Sequence, residues 1–288
     1  MIPIRLKQPG LVPVGAVGLL LLASLACGGV AATAPTLAPS PSPHPTLPPP
    51  TAAPATPVVD SGWQPLGHGL EWRTTPARDS AGQVVDIMTA VRIDPTIWRL
   101  TVQYDPANPR TVQDWAAHTG AAIVLNAGFF TPEYQATGLI IADGHAYGSS
   151  YLGFGGMLAI DSASAQLHWL PERPYDPAEN LLGAVQSFPM LVTRQGVSGV
   201  SQDDGIPARR TVVGQDAAGR ILMLVFPSGG YTLHQLAQYL VSADLDLVRA
   251  LNLDGGTSCG MAITDPGADR VIPSGKPVPA VILVDKHP

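Results

Sequence analysis

Leu251-Asn252-Leu253-Asp254-Gly255-Gly256-Thr257-Ser258-Cys259-Gly260-Met261 is the stretch around which the chain is organised. It begins as a strand: Val248, Ala250, Leu251 and Leu253 are apolar in a run too short for a stable helix. It ends at Asp254 and two glycines, which permit a tight turn and leave backbone N–H groups open to a ligand. A carboxylate, amides and the hydroxyls of Thr257 and Ser258 then stand together at a strand end. That is the chemistry of a site. The plain alternative is a turn closed by an Asx-type hydrogen bond.

A second strand ends in a comparable way. Ala121–Leu125 is apolar and runs into Asn126-Ala127-Gly128-Phe129-Phe130. If the two strands are neighbours, both polar turns reach one edge. Arg209-Arg210-Thr211 opens a further strand. Arginine at a strand start is ordinarily a solvated charge, but beside Asn126 and Ser258 it makes an anion clamp, because guanidinium matches phosphate oxygens in a fork.

The remaining pattern is mostly strand. Val84–Ile93 and Trp98–Tyr104 alternate, Leu139–Ala142 and Ala146-Tyr147 flank an Asp143-Gly144 turn, and Arg220–Phe226 and Val278–Val284 are apolar runs. Thr111–Thr119 reads as a short helix stopped by Gly120. Leu233, Leu236, Ala237, Leu240 and Val241 share one face of a helix that Thr232 can cap. Many strands and two helices predict an α+β domain over residues 61–288, with a mixed, mostly antiparallel sheet at its core.

The N-terminal residues read differently. Arg5 and Lys7 precede an apolar run from Leu11 to Ala26, which ends at Cys27-Gly28-Gly29, so residues 1–27 read as an export signal. Leu25-Ala26-Cys27 resembles a bacterial lipoprotein processing site, with Cys27 lipidated and the chain held to a membrane. Ser24 stands where such sites carry leucine. Residues 31–57 hold ten prolines and no Asp, Glu, Lys or Arg, so nothing there builds a core. Residues 28–60 read as a polyproline-like tether, able to span up to about 80 Å.

The 288 residues carry a formal net charge of −6, which argues against nucleic acid as a partner. Cys27 and Cys259 are the only cysteines, so a processed Cys27 leaves no intramolecular disulfide and Cys259 as a small buried residue. His118, His145, His168 and His234 lack metal-ligand spacing and read as surface or turn residues. Gly256-Thr257-Ser258-Cys259-Gly260 fits the G-x-S-x-G pattern of a nucleophile elbow. That motif needs a following helix and a later histidine, but Thr264-Asp265-Pro266-Gly267 breaks any helix and His287 is the sole histidine downstream.

With these segments in order, the chain resembles the phosphodiester glycosidase family over roughly Val84 to Val284. Its carriers are Asn126-Ala127-Gly128-Phe129-Phe130, Thr137-Gly138-Leu139-Ile140-Ile141, Ser187-Phe188-Pro189-Met190-Leu191-Val192, Arg210-Thr211-Val212-Val213-Gly214, the helix from Thr232, and Leu251 to Ser258 unbroken. Ala127 and Phe188 depart from the family pattern, Phe188 standing at a usual glycine. The resemblance implies hydrolysis of a sugar-1-phosphodiester at the anomeric carbon, with a glycan or sugar phosphodiester as substrate. It implies Asp254, Arg210 and Asn126 as catalytic residues, and Gly255, Gly256, Thr257, Ser258, Gly128, Phe129 and Thr211 as substrate contacts. Asp254 acts at the sugar as base or nucleophile; Glu133, Asp203 and Asp204 are loop candidates for a second acid. No cofactor is required by this reading, and a divalent cation stays open. The alternative from another class is a non-catalytic glycan binder of the cell envelope.

Overall fold

The structure, a computed structural model, describes residues 59–264 and 269–286. Cys27, the residues read as an export signal and most of those read as a tether lie outside them. The described residues belong to one compact unit, Ala55–Pro288.

Three sheets make up this unit. The largest has eight strands in the order Gln64–Gly67, Leu70–Arg78, Val84–Ile93, Ile221–Tyr231, Ala208–Asp216, Leu247–Asn252, Met190–Arg194 and Val197–Ser198. A five-stranded sheet runs His145–Tyr147, Ile140–Ala142, Gly183–Ser187, Gly156–Ile160 and Ala165–Trp169. The other runs Arg270–Ile272, Met261–Ile263, Ile123–Asn126, Ala280–Lys286 and Trp98–Tyr104. Every strand pairing among the described residues is antiparallel. The expected α+β domain with a mostly antiparallel core and few helices is thus met in part: the described residues hold two α-helices, are mostly β, and contain no parallel strand pair. Apolar runs such as Ile123–Leu125 carry no sign of strand direction, because burial on both faces occurs in either kind of sheet.

The main core lies where the three sheets face one another. Leu100, Ile123 and Leu125 meet Ile140, Leu158 and Val185 from the second sheet and Val213, Met223 and Leu251 from the largest. Alternation then sends the opposite faces outward. On the largest sheet that outer face carries Val212, Leu224 and Ala250, covered by the helix Leu233–Ser242 through Leu236, Ala237 and Leu240. Burying the two leucines alone contributes roughly 4 kcal/mol. Thr232 closes this helix with a capping box: its hydroxyl accepts from the Gln235 N–H, and the Gln235 side chain accepts from the Thr232 N–H. The shorter helix Val112–Thr119 is capped by Thr111 and packs Trp115 and Ala116 on Val124, Ala262 and Val281.

One buried carboxylate shapes the largest sheet. Asp86 accepts from the N–H groups of Ser228 and Gly229, each at 3.0 Å, and Gly230 at 3.3 Å. These bonds fix the end of Ile221–Tyr231, where a Cβ on Gly229 would stand 3.2 Å from Arg209 N. The four histidines divide. His168 is buried within Ala165–Trp169, at 4% exposure, which corrects its expected surface position. It faces inward because it is in register with Met157 in the neighbouring strand.

Candidate active site

Asn126, Ser187 and Asn252 end strands of three different sheets, and these ends converge. The turns after Asn126 and Asn252 do meet, although their strands are not neighbours. The Asp254 N–H donates to Ala127 O at 3.1 Å, and Asn126 Nδ2 donates to Asp254 O at 2.6 Å. The third sheet joins through Asn252, whose N–H donates to Pro189 O and whose Nδ2 donates to Phe188 O, each at 3.0 Å. Gly128 allows the last approach: a Cβ there would stand 2.9 Å from Gln186 O.

The two glycines after Asp254 are needed for different reasons. Gly256 has φ +57°, the left-handed region that costs other residues energy. Gly255 does not, but a Cβ on it would lie 2.5 Å from Arg209 O. The chain then makes a single 3-10 turn, Gly256–Ser258, and enters the strand Met261–Ile263. The strand–turn–helix geometry of a nucleophile elbow is therefore not formed.

Asp254 is the chemical centre of this turn. Burial pushes its carboxyl above the ordinary range; the Ser258 hydroxyl, the Lys276 ammonium and the Gly255 N–H oppose that shift without cancelling it. The Gly255 amide thus faces the chain's own carboxylate, where the sequence suggests an amide open to a ligand. Ser258 Oγ is buried and has no partner at hydrogen-bond distance among the described residues, yet it stands near enough to Asp254 to favour the charged form. Thr257 is exposed beside it, and its carbonyl accepts from the Gly275 N–H at 2.7 Å.

Asn126 and Thr211 are wholly buried. Asn126 Oδ1 accepts from Thr211 Oγ1 at 2.8 Å and from the Gly260 N–H at 3.0 Å. With Nδ2 on Asp254 O, this side chain braces both ends of the Asp254 turn from beneath. These contacts make Asn126 and Thr211 positioning residues.

Arg210 alternates with Thr211 and shares the outer face with Val212. Its guanidinium donates to Ile206 O at 2.9 Å and Tyr231 O at 3.4 Å; burial lowers its proton affinity, and Asp204 partly restores it. These contacts do not join it to Asp254. Its neighbour Arg209 projects the other way, and its guanidinium donates to Cys259 O at 3.0 Å and Pro273 O at 2.9 Å. The cation that acts on the Asp254 carboxylate is Lys276, whose Nζ also lies 4.5 Å from the centre of the Phe130 ring. Sequence reasoning passed over Lys276. Its only signal was Pro273-Ser274-Gly275-Lys276-Pro277, another polar turn before a strand.

Cys259 is fully buried, and burial pushes its thiol up, which leaves it unreactive. Glu133, Asp203 and Asp204 are exposed, and Asp203 accepts from the Gly205 N–H within its own loop. No group of three His, Cys, Asp or Glu side chains placed to hold a metal occurs among the described residues. A cavity of about 510 Å³ lined by Arg99, Thr101, Asp143 and Ser164 lies away from Asp254, and it offers no converging set of catalytic groups.

No curated protein matches this chain. Among solved structures it is similar to the catalytic domain of zebrafish N-acetylglucosamine-1-phosphodiester alpha-N-acetylglucosaminidase, auto-inhibited by its pro-peptide. That match has 19% identity over 76% of this chain and 84% of that one, with a TM-score of 0.62. A hypothetical protein from Synechocystis matches at 17% identity over 76% of this chain and 62% of that one, with a TM-score of 0.54. At such identities these likenesses concern the fold. The family model of phosphodiester glycosidases matches residues 119–285, which run from the end of the first helix to the last strand and include every turn of the Asp254 site. The chain belongs to the phosphodiester glycosidase family.

Proposed function

We propose that this protein hydrolyses a sugar-1-phosphodiester at the anomeric carbon, releasing free sugar and a phosphomonoester. The observation that carries this is the half-buried Asp254 carboxylate, raised in basicity by burial and flanked by one hydroxyl and one ammonium group. Water supplies oxygen to the anomeric carbon while the carbon–oxygen bond to phosphate breaks. The bonding pair leaves on the phosphate oxygen. A phosphomonoester accepts that charge without full protonation, so the main need is charge stabilisation beside the leaving group. Lys276 is the cation we assign to it, while the buried Ser258 Oγ supports the Asp254 carboxylate. Arg210, whose guanidinium is engaged by Ile206 O and Tyr231 O on the other face of its strand, is left without a direct role at the phosphate in this reading.

Asp254 acts on water as a base or on the anomeric carbon as a nucleophile. Either role needs the ionised carboxylate. Asn126 and Thr211 hold it in place, while Gly128, Phe129, Gly255, Gly256 and Thr257 form the walls. The export signal, Cys27 and the proline-rich tether support a location on the outer side of a membrane, held by lipid.

The test is a panel of sugar-1-phosphodiesters assayed for released phosphomonoester, with Asp254→Asn beside the wild type. The expected result is turnover by the wild type and a loss of several orders of magnitude in the variant. Tight glycan binding without turnover on any member of the panel would replace the enzyme reading with a binding one.

A further inference from the structure

We infer that Phe129, Tyr151, Phe154 and Phe188 form a platform that seats the flat face of a pyranose ring next to the Asp254 turn. This deepens the glycosidase reading and rests on it. The four rings form one cluster. Phe188 lies 4.9 Å from Phe129, 5.6 Å from Tyr151 and 5.7 Å from Phe154 by ring centroids, and Tyr151 lies 4.8 Å from Phe154. Phe154 is 47% and Phe188 41% exposed, and the rings lie at 31–82° to one another, so a pyranose would stack on one exposed ring with the others walling its edge.

Aromatic rings left in water at this density need an explanation, and their anchorage supplies one. Phe188 O accepts from Asn252 Nδ2, two residues before Asp254. Phe129 lies two residues after Ala127, whose carbonyl accepts from the Asp254 N–H. The platform is thus bound on two sides to the segment that carries the carboxylate. It is also held still. Gln186 Oε1 accepts from the Tyr151 N–H at 2.8 Å, and Gln186 Nε2 donates to Ser150 Oγ at 2.9 Å. A Cβ on Gly155 would stand 2.6 Å from Ser187 O, which locks the loop to the end of the adjacent strand.

The chemistry of this surface selects a sugar. A pyranose presents C–H groups of slight positive charge on one face, which match the negative face of an aromatic ring. Its rim presents hydroxyls. At the rim of the platform stand Tyr151 Oη and Thr137 Oγ1, 3.2 Å apart and each able to donate or accept. Thr137 Oγ1 also donates to Phe129 O at 3.1 Å, so what the pair still offers is acceptor lone pairs, which a sugar hydroxyl uses and an alkyl chain does not. Rigid rings also lose little conformational entropy on binding, so the contact area converts efficiently into affinity.

Two measurements test this. The first is saturation-transfer NMR with methyl pyranosides on wild-type protein and on the Phe154→Ala/Phe188→Ala double variant. It needs no turnover, so it reads the platform even if the glycosidase reading fails. Transfer from aromatic protons to the pyranose C–H groups is expected in the wild type and lost in the variant. The second uses a sugar-1-phosphodiester that the wild type hydrolyses. There the double variant should raise KM about tenfold and change kcat less than threefold, and Phe154→Trp alone should hold KM at or below the wild-type value. Both side chains are exposed, and an unchanged melting curve verifies that the variant is folded. Absence of transfer to every methyl pyranoside in the wild type would overturn the inference. So would an unchanged KM in the double variant.

Discussion

Replacing Asn126 with alanine separates a group that builds the site from one that acts in it. Asn126 is wholly buried and makes three hydrogen bonds, to Asp254 O, Thr211 Oγ1 and the Gly260 N–H. Alanine leaves all three partners buried without it. An abandoned buried polar group costs about 1–3 kcal/mol. The Thr211 hydroxyl can rotate towards another acceptor, so the lower end applies to it. The sum is about 3 kcal/mol or more, before any cavity cost, and for a domain of this size that lowers Tm by roughly 6–12 °C. Asn126→Asp should be no better near neutral pH, because it puts a second negative oxygen where Nδ2 now donates to the Asp254 carbonyl. Thr211→Val should cost only about 1 kcal/mol, since Oδ1 keeps the Gly260 N–H. Thermal unfolding of the three variants checks the order, with the rate on a sugar-1-phosphodiester measured well below Tm. If Asn126→Ala melts within a degree or two of the wild type and yet has no activity, the bracing role is refuted and Asn126 acts on substrate.

Four further outcomes can be measured, three resting on the structure and one on the N-terminal sequence. Burial raises the Asp254 carboxyl while Lys276 and Ser258 oppose it, so the acid limb of kcat/KM should titrate above the ordinary aspartate value; Lys276→Met should move it higher still, and an unmoved or lowered limb in the pH–rate profile would refute the pairing. Lys276→Met should also raise KM about tenfold, as expected on losing a charge-assisted contact of roughly 1.5 kcal/mol, while Arg210→Met should raise it less; the reverse order in steady-state kinetics would return the phosphate to Arg210. His168 has its pKa lowered to about 4 by burial and by Arg173 and Arg249, so its contribution is fully present above pH 6.5 and is lost as pH falls from 6.5 towards 4. Urea unfolding across that window should lose roughly 2 kcal/mol in the wild type and less in His168→Gln, and equal slopes would refute the assignment. Lipid labelling of Cys27 in cells, abolished by Cys27→Ser, checks the anchor; unlabelled protein released to the medium would replace it with simple secretion.

The sequence by itself determined the elements whose signals are local. Val84–Ile93 and Trp98–Tyr104 appear with the bounds read from alternation, Thr232 caps its helix as expected, and the helix expected from Thr111 starts at Val112 with Thr111 as its cap. Asp254 was legible because a strand running into two glycines is visible in one dimension. Gly183–Ser187 and Met261–Ile263 went unread, since neither three nor five buried residues show a period. Strand direction is equally hidden, because a run buried on both faces looks the same in a parallel and an antiparallel sheet. What only the tertiary structure decided is which side chains meet. The Arg209-Arg210-Thr211 run reads as one cluster, but alternate residues of a strand face opposite sides, so Thr211 joins Asn126 while Arg210 turns to Ile206 and Tyr231. Lys276 and Phe188 lie at distant points of the chain and reach the Asp254 turn because three sheets end together there. Side-chain direction and the meeting of separate sheets are set by long-range packing, which no short window of sequence contains.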